Sequence, residues 1–132
     1  MKKILVVEDE ATQVLLLQLR LTEQGFTVVC AMDGKEGLRK AAEEKPDLIL
    51  LDVVLPGMSG IDVCIALKED PRTQPIPVML LTASGMRDLE ERCKAFGVEG
   101  CLIKPYSMSV LLEKINAILP SDPATQQPSK GK

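Results

Sequence analysis

Short, mostly apolar runs alternate along the chain with longer segments whose apolar positions recur about every 3.6 residues. The short runs predict five β-strands, at Ile4–Val7, Thr27–Cys30, Leu48–Leu51, Val78–Leu81 and Cys101–Ile103. The longer segments predict five helices, at Ala11–Glu23, Gly34–Glu44, Gly60–Lys68, Arg87–Ala95 and Ser107–Leu119. The strands do not alternate apolar with polar residues, which is typical of parallel strands covered on both faces. The pattern therefore predicts an α/β fold built on a doubly wound, five-stranded parallel sheet.

Cap residues support these boundaries. Gly25 and Gly97 stand where helices are expected to end, and Asp33 and Ser107 stand where helices are expected to begin.

After residue 119 the sequence PSDPATQQPSKGK has almost nothing to bury. We therefore expect one domain over residues 1–119, followed by a disordered tail or linker stump over residues 120–132.

The amino-acid composition excludes several classes of function. The chain has 132 residues, 45% of them hydrophobic and 27% charged, which suits one globular domain. Its net charge of −3 offers no basic surface for direct nucleic acid binding. There is no histidine, which excludes Ser-His and Cys-His nucleophile pairs and histidine metal sites.

The cysteines and the N-terminus suggest a compartment. Cys30, Cys64, Cys93 and Cys101 never form a C-x-x-C spacing, and we expect all four to be small buried hydrophobes in a reducing compartment. The MKKILVV start is too short for a signal sequence, and no apolar run is long enough to span a membrane. We expect a cytoplasmic protein with no membrane association.

Polar side chains follow four of the predicted strands. Glu8 and Asp9 follow the first strand, Asp52 the third, Thr82 the fourth and Lys104 the fifth. The carboxyl ends of parallel strands share one edge of the sheet, so these side chains should converge there. Taken singly, each has a plain structural explanation as a turn, cap or solvated residue. Together, three carboxylates need a cation, and oxygen ligands without Cys or His favour Mg²⁺.

The segments VVEDE, LILLDVVLPGMSG, PVMLLTAS and LIKPY resemble, in order and spacing, the receiver domain of two-component response regulators. The resemblance extends from about Lys3 to Leu119 and implies a (βα)5 flavodoxin-like fold. It implies that Asp52 accepts a phosphoryl group from a phosphohistidine, with Mg²⁺ as cofactor. It also implies that Asp9 binds the metal directly, that Glu8 holds metal-bound water, and that the Val54 backbone carbonyl is a further ligand.

The same resemblance assigns the switch. Thr82 matches the hydroxyl that moves toward the phosphoryl group, and Lys104 matches the amine that pairs with it; the Lys104–Pro105 bond is expected to be cis. The family usually has Tyr or Phe three residues before this lysine, where this chain has Cys101. Without a ring to change rotamer, we expect coupling to the output face to depend on the loop Ala83–Met86.

The resemblance also implies partners. The phosphoryl donor would be a sensor histidine kinase or a histidine phosphotransfer protein. The signal would pass from the face formed by the fourth helix, fifth strand and fifth helix to an output domain or partner protein, or to a phosphorylation-linked homodimer. The domain would not be an enzyme for a separate substrate, although it would catalyse its own phosphotransfer and dephosphorylation. Both a stand-alone regulator and an N-terminal domain of a longer protein fit this interpretation.

The first helix has more apolar residues than one buried face needs. Val14, Leu17 and Leu21 follow the i, i+3, i+7 spacing of a core stripe, which leaves Leu16 and Leu19 on a flank. In the resembling family this flank docks the helical pair of the phosphoryl donor. Extra packing at the core boundary is the alternative explanation.

Three other functions fit these residues less well. A receiver that works only as an unphosphorylated scaffold would not need the full acceptor, metal, hydroxyl and amine set. A haloacid-dehalogenase-type phosphatase needs a second Asp two residues after the first, where this chain has Val54. A flavodoxin-like flavin module needs a hydroxyl-rich phosphate loop, whereas Glu8 and Asp9 would repel a phosphate, and three aromatic residues are too few.

Overall fold

The computed structural model describes residues 2–82 and 89–119 of the chain. The strands are β1 (Lys3–Val7), β2 (Thr27–Ala31), β3 (Leu48–Asp52), β4 (Val78–Thr82) and β5 (Gly100–Ile103). The helices are α1 (Ala11–Glu23), α2 (Gly34–Glu44), α3 (Gly60–Glu69), α4 (Leu89–Phe96) and α5 (Met108–Ile118). Each predicted element is present, α1 and α2 with the predicted bounds, and no bound differs from the prediction by more than two residues.

All five strands are parallel and lie in the order β2-β1-β3-β4-β5. The predicted α/β class and doubly wound parallel sheet are therefore confirmed. The chain moves outward from β1 to β2 and then returns to place β3 on the other side of β1. This reversal opens a crevice at the carboxyl ends of β1 and β3, which is where α/β sheets bind ligands.

Helices cover both faces of the sheet. On one face α1 and α5 contribute Leu17, Leu21, Leu111 and Ile115, which pack with Ile4, Val6, Leu48, Leu50, Met79, Leu81 and Leu102. On the other face α2 and α3 contribute Ala41, Val63, Cys64 and Leu67, which pack with Leu5, Val7, Ile49, Leu51, Val78 and Leu80. Full burial of one leucine, isoleucine, valine or methionine side chain stabilises the fold by about 1.5–3 kcal/mol. The apolar runs in the sequence reflect this double coverage.

The two edge strands are less buried than their sequences suggest. Every residue of β3 and β4 is buried, whereas β2 and β5 each have one exposed and at least two partly buried positions. An edge strand pairs with a neighbouring strand on one side only, which leaves its other edge uncovered by the sheet. Apolar sequence alone does not distinguish an edge strand from a central one.

The predicted caps are confirmed. Asp33 and Ser107 precede α2 and α5, and their side chains accept hydrogen bonds from the backbone N–H groups of the third helical residues. Gly25 and Gly97 have φ values of +94° and +73°, a conformation that favours glycine. The Lys104–Pro105 peptide bond is cis, as expected.

The expectation for the cysteines is wrong for one pair. Cys93 of α4 and Cys101 of β5 are joined in a disulfide, with their Cα atoms 6.6 Å apart. This pair could not be predicted from the sequence, because the two residues meet only when α4 packs back against β5. Cys30 and Cys64 are free thiols. Burial raises the pKa of both thiols, which suits the small hydrophobic role predicted for them.

Three sequence predictions lie outside the described residues. They are the start of the fourth helix at Arg87, the coupling loop Ala83–Met86, and the tail over residues 120–132. Among residues 2–82 and 89–119, no helix is both long and apolar enough to cross a membrane.

Gly60 allows α3 to begin close to the end of β3. Its N–H donates a 2.7 Å hydrogen bond to the Val53 carbonyl. A methyl group on Gly60 would meet the Asp52 carbonyl oxygen and lie 2.7 Å from the Val53 Cα atom. Both obstacles are backbone atoms of the segment that carries Asp52, so they cannot move independently of it.

Replacement of Gly60 by alanine is therefore expected to destabilise the protein by about 1–3 kcal/mol through overpacking. The measurement is the urea midpoint at constant m-value. Gly100→Ala is the control, because its new methyl group would make only ordinary 3.8 Å contacts with Ile118 and Met79. Equal stability of Gly60→Ala and the wild type would contradict this account of the β3–α3 junction.

Candidate functional site

Three carboxylates meet at the crevice between β1 and β3. Glu8 and Asp9 directly follow β1, and Asp52 is the last residue of β3. The strands are in register, with Val7 beside Leu51, so the acidic residues come next on both. One carboxylate oxygen from each of the three residues lies within 4.8 Å of the other two. The predicted convergence of Glu8, Asp9 and Asp52 is therefore what the fold produces.

Lys104 crosses the mouth of this cluster. Its ammonium nitrogen lies 3.1 Å from Glu8 Oε1 and 3.0 Å from Asp52 Oδ2, and donates a hydrogen bond to each. The lysine directly follows β5, and its backbone N–H donates to the Thr82 carbonyl at 2.7 Å. This bond fixes the start of the lysine side chain, whose length then brings the charge across β4 to β3 and β1.

Asp52 is held through both of its carboxylate oxygens. Oδ2 accepts from Lys104, and Oδ1 accepts a 3.0 Å hydrogen bond from the Val54 backbone N–H. The residue is 5% exposed, which leaves it buried yet at the rim of an open cleft. Its orientation is therefore fixed before any ligand arrives.

Burial and neighbouring charges shift the pKa values of Glu8 and Lys104. It raises the pKa of Glu8, which is 1% exposed; the neighbouring Asp52 adds to the rise and Lys104 opposes it. For Lys104, burial alone would lower the pKa, but hydrogen bonds and attraction to Asp52 and Glu8 outweigh burial and raise it. The ammonium group is thus stabilised in its charged form.

The predicted residues do not all lie in one place. The cleft is lined by Glu8, Asp9, Asp52, Val54 and Lys104. Thr82 is buried at the end of β4, next to β5, where its carbonyl binds Lys104. Cys101 lies apart from the cleft, packed toward α4 on the face that α2 and α3 also cover.

Sequence reasoning missed one residue of the cleft. Glu10 also lines it, and the Glu10 backbone N–H donates a 3.3 Å hydrogen bond to Glu8 Oε2. Three consecutive acidic residues in VVEDE were the available signal. This bond, with that from Lys104, gives each carboxylate oxygen of Glu8 a donor.

An apolar groove runs beside the cleft. It is lined by Gln13, Leu16, Leu17 and Arg20 of α1 and by Lys104, Pro105, Tyr106 and Met108. On α1, Leu17 and Leu21 are buried and Val14 is partly buried, as the predicted core stripe requires. Leu15, Leu16 and Leu19 are 67%, 43% and 56% exposed. The exposed flank predicted from Leu16 and Leu19 is therefore present, with Leu15 added.

Comparison with known proteins shows which family this chain is similar to. A family model described as the response regulator receiver domain matches residues 4–116. The phosphate regulon transcriptional regulatory protein PhoB of Rhizobium meliloti is 38% identical, with 89% of this chain aligned to 52% of PhoB. This chain therefore spans about half the length of PhoB. Protein PilH of Pseudomonas aeruginosa is 35% identical, and the alignment covers 90% of this chain and 98% of PilH.

One of the similar solved structures contains a bound metal ion. The receiver domain of the sensor histidine kinase PA1611 from Pseudomonas aeruginosa has a magnesium ion coordinated in its active site cleft. It superposes with a TM-score of 0.82 and 26% identity, covering 91% of this chain and 98% of that one. Receiver domains bind Mg²⁺ at an acidic pocket, and those of response regulators interact with histidine kinases and output domains.

The match over residues 4–116, the β2-β1-β3-β4-β5 sheet and the acidic cluster at its carboxyl edge lead to one assignment. This chain belongs to the response regulator receiver domain family, the signalling domains of two-component systems, and has their flavodoxin-like fold.

Proposed function

We propose that this chain is a phosphorylated switch in which Asp52 accepts a phosphoryl group from a phosphohistidine on a sensor histidine kinase or histidine phosphotransfer protein. One observation carries the proposal: Asp52 is buried at the rim of an open cleft, with each carboxylate oxygen already fixed by a donor. Such a fixed carboxylate can act as a nucleophile without first having to be oriented.

The reaction forms one bond and breaks one. A carboxylate oxygen of Asp52 attacks phosphorus, a P–O bond forms, and the P–N bond to the donor imidazole breaks. The electron pair of that bond stays on the imidazole nitrogen, which takes up a proton. Lys104 and the Thr82 hydroxyl supply donors for the phosphoryl oxygens, since both lie at the strand ends beside Asp52.

The residues present fit a magnesium ion. Glu8, Asp9 and Asp52 offer only oxygen atoms, within 4.8 Å of one another, and Lys104 supplies a single positive charge against their three negative ones. Asp9, which is exposed, would bind the ion with Asp52 and the Val54 carbonyl, while Glu8 would hold its water. When bound, Mg²⁺ neutralises the carboxylates and the phosphoryl oxygens.

Self-catalysis follows from the same groups. The groups named above would serve the proposed phosphotransfer, and hydrolysis of the aspartyl phosphate needs only water to attack phosphorus. In that step the P–O bond to Asp52 breaks, the carboxylate is restored and inorganic phosphate leaves. The lifetime of the signal would then depend on how well water reaches the cleft.

Phosphorylation of Asp52 would be transmitted to the rest of the domain through a movement of β5. A phosphoryl group on Asp52 would compete for Lys104, which now binds Asp52 and Glu8, and would draw Thr82 toward itself. Because both residues lie where β4 and β5 end, their movement would change the α4-β5-α5 face. That face would contact an output domain or partner protein, or a second copy of this chain in a phosphorylation-linked homodimer.

The proposed unit is residues 1–119, with residues 120–132 as a tail or linker. The chain would act in the cytoplasm beside the donor, without binding nucleic acid or membrane itself. The donor would dock on the α1 flank, because Leu15, Leu16 and Leu19 are exposed there next to the groove that reaches Lys104.

Acetyl phosphate with Mg²⁺ is expected to add one phosphoryl group to the wild-type chain, and Asp52→Asn is expected to abolish the addition. The amide introduced by this substitution is a far weaker nucleophile than a carboxylate. Intact mass spectrometry measures the product. Asp62→Asn, which changes an exposed carboxylate of α3, is the control and should label normally. Labelling of Asp52→Asn at the wild-type level would contradict the assignment.

Lys104→Met is expected to lower the free energy of unfolding by about 1–3 kcal/mol near neutral pH, because it leaves buried carboxylates without a cation. Glu8 has a pKa raised above its ordinary 4.5, so its burial costs stability that builds up as the pH rises above 4.5 and is complete above the raised pKa. The deficit should therefore shrink as the pH falls from neutral toward 4.5, and Mg²⁺ should reduce it at neutral pH. Urea unfolding measures both effects.

Lys3→Met is the matched control for this experiment. It removes a lysine whose ammonium lies 3.2 Å from Glu44 in an exposed pair, which should change stability by less than about 1 kcal/mol. A deficit for Lys104→Met that is the same at both pH values would show that Glu8 does not depend on Lys104 for its charge.

Leu19→Glu is expected to slow phosphotransfer from the cognate donor by about tenfold, equivalent to about 1.4 kcal/mol of lost contact, and to leave acetyl phosphate labelling intact. Leu19 is on the docking flank but outside the cleft. Ile65→Glu, which alters a 45% exposed residue of α3, should change neither rate. An equal loss in both assays for Leu19→Glu would indicate misfolding rather than a docking defect.

A further inference from the structure

We propose that Cys93 and Cys101 form a redox modification site, a reversible disulfide that is oxidised by a low-molecular-weight disulfide and limits movement of α4 relative to β5. The name redox latch is used below for this pair. Its effect on signalling rests on the proposed phosphorylation of Asp52, whereas its chemistry does not.

The geometry selects this pair from the four cysteines. The Cα atoms of Cys93 and Cys101 are 6.6 Å apart, within the usual disulfide range of about 4.4–6.8 Å. Cys30 and Cys64 remain free thiols. Cys93 is itself buried, so burial does not distinguish it from these two thiols. The Cα spacing does, and formation of a disulfide within the chain should therefore be confined to the redox latch.

The redox latch joins the short helix α4 to the sheet through a covalent bond. The helix has eight residues, LEERCKAF, and four of them are charged. A helix of this length is marginal in water unless tertiary contacts hold it. Cys93 is 7% exposed, and Phe96 packs partly buried against the same side of the sheet. The disulfide therefore adds a covalent attachment to the packing of Phe96 against the sheet.

β5 connects the redox latch to the acidic cleft, because it contains Cys101 and is followed directly by Lys104. Cys101 pairs in register with Leu80 of β4, and three residues later Lys104 contacts Asp52 and Glu8. β5 is at the edge of the sheet and pairs only with β4. A displacement of β5 that follows Lys104 must therefore carry α4 with it for as long as the disulfide is intact.

The oxidation balances without a metal or other cofactor. The thiolate of one cysteine attacks a sulfur of the small disulfide, which forms a mixed disulfide and releases one small thiolate. The thiolate of the second cysteine then attacks the protein sulfur of the mixed disulfide and displaces the second small thiolate. The protein dithiol loses two electrons, the small disulfide gains them, and two protons pass to the released thiolates.

In a reducing compartment such as the cytoplasm, this bond would be reversible and could therefore regulate the protein. Where glutathione keeps thiols reduced, disulfides are transient, so a protein acting beside a cytoplasmic donor would carry this pair mainly as thiols. Oxidation would then fix α4 and β5 in the arrangement seen here, with Lys104 on Asp52. By linkage, a ligand that favours another arrangement of Lys104 must bind the oxidised form more weakly.

The test uses the full chain, reduced or oxidised in glutathione buffers of stated ratio. Intact mass after alkylation counts free thiols, and hydrogen exchange follows the α4 amides. We expect two thiols to disappear on oxidation and to return on reduction. We also expect exchange in residues 89–96 to be about tenfold faster in the reduced form. Beryllofluoride with Mg²⁺, a phosphoryl mimic, should bind the oxidised form about fivefold more weakly.

Two variants separate the redox latch from general thiol effects. Cys93→Ser should behave like the reduced wild type in both buffers, and Cys30→Ser should respond to oxidation like the wild type. Circular dichroism of the reduced wild type, which carries no substitution, should show that loss of the disulfide leaves the fold intact.

The outcomes are distinct. Four alkylated thiols in every buffer, or equal exchange of α4 in both forms, would overturn the redox latch. Beryllofluoride affinity that is equal in the two forms, or higher in the oxidised form, would overturn its coupling to the cleft. Failure of beryllofluoride to bind either form would contradict the proposed function instead, while a reversible disulfide that slows exchange in α4 would still support the redox latch.

Discussion

Glu8 and Asp52 are almost out of contact with water, and one ammonium group, that of Lys104, serves both. Two unit charges 4 Å apart interact by about 4 kcal/mol at the effective dielectric constant typical of a protein surface. Two carboxylates so placed would repel each other strongly without a shared cation. Asp9 adds a third negative charge but stays exposed, so water screens it. The cleft therefore keeps an excess of negative charge that suits a divalent cation and, with it, a phosphoryl group.

This charge balance depends on how the sheet is built. β3 and β4 are buried along their whole length, and their polar residues, Asp52 and Thr82, stand at their carboxyl ends. Parallel pairing then gathers those ends at one edge, and the reversal between β1 and β3 opens the crevice there. Asp52 stays within β3, while Glu8 comes directly after β1. The position of the acids thus follows from the need to bury the rest of each strand.

The sequence allowed the elements and most of the cleft to be predicted, for the same physical reason. An apolar strand that stops at an acid, as LILLD does, shows both its burial and its end. The order of the strands was implied only by the family resemblance, because apolar runs do not show which strand lies at an edge. The Cys93–Cys101 disulfide was missed, since it depends on the angle at which α4 returns to β5. Glu10 was missed because its part in the cleft runs through a backbone N–H group, which every residue but proline has.

The two interactions that constrain β5 give this short strand its importance. At one end Lys104 is bound by Asp52 and Glu8, and toward the other Cys101 is bound to α4. As an edge strand, β5 has one ladder of hydrogen bonds where a central strand has two, so it can shift at a lower cost. A charge change at Asp52 alters the first constraint, and a change in oxidation state alters the second. Both act on the same four residues, so β5 is where phosphorylation and redox state would be combined before either reached the α4-β5-α5 face.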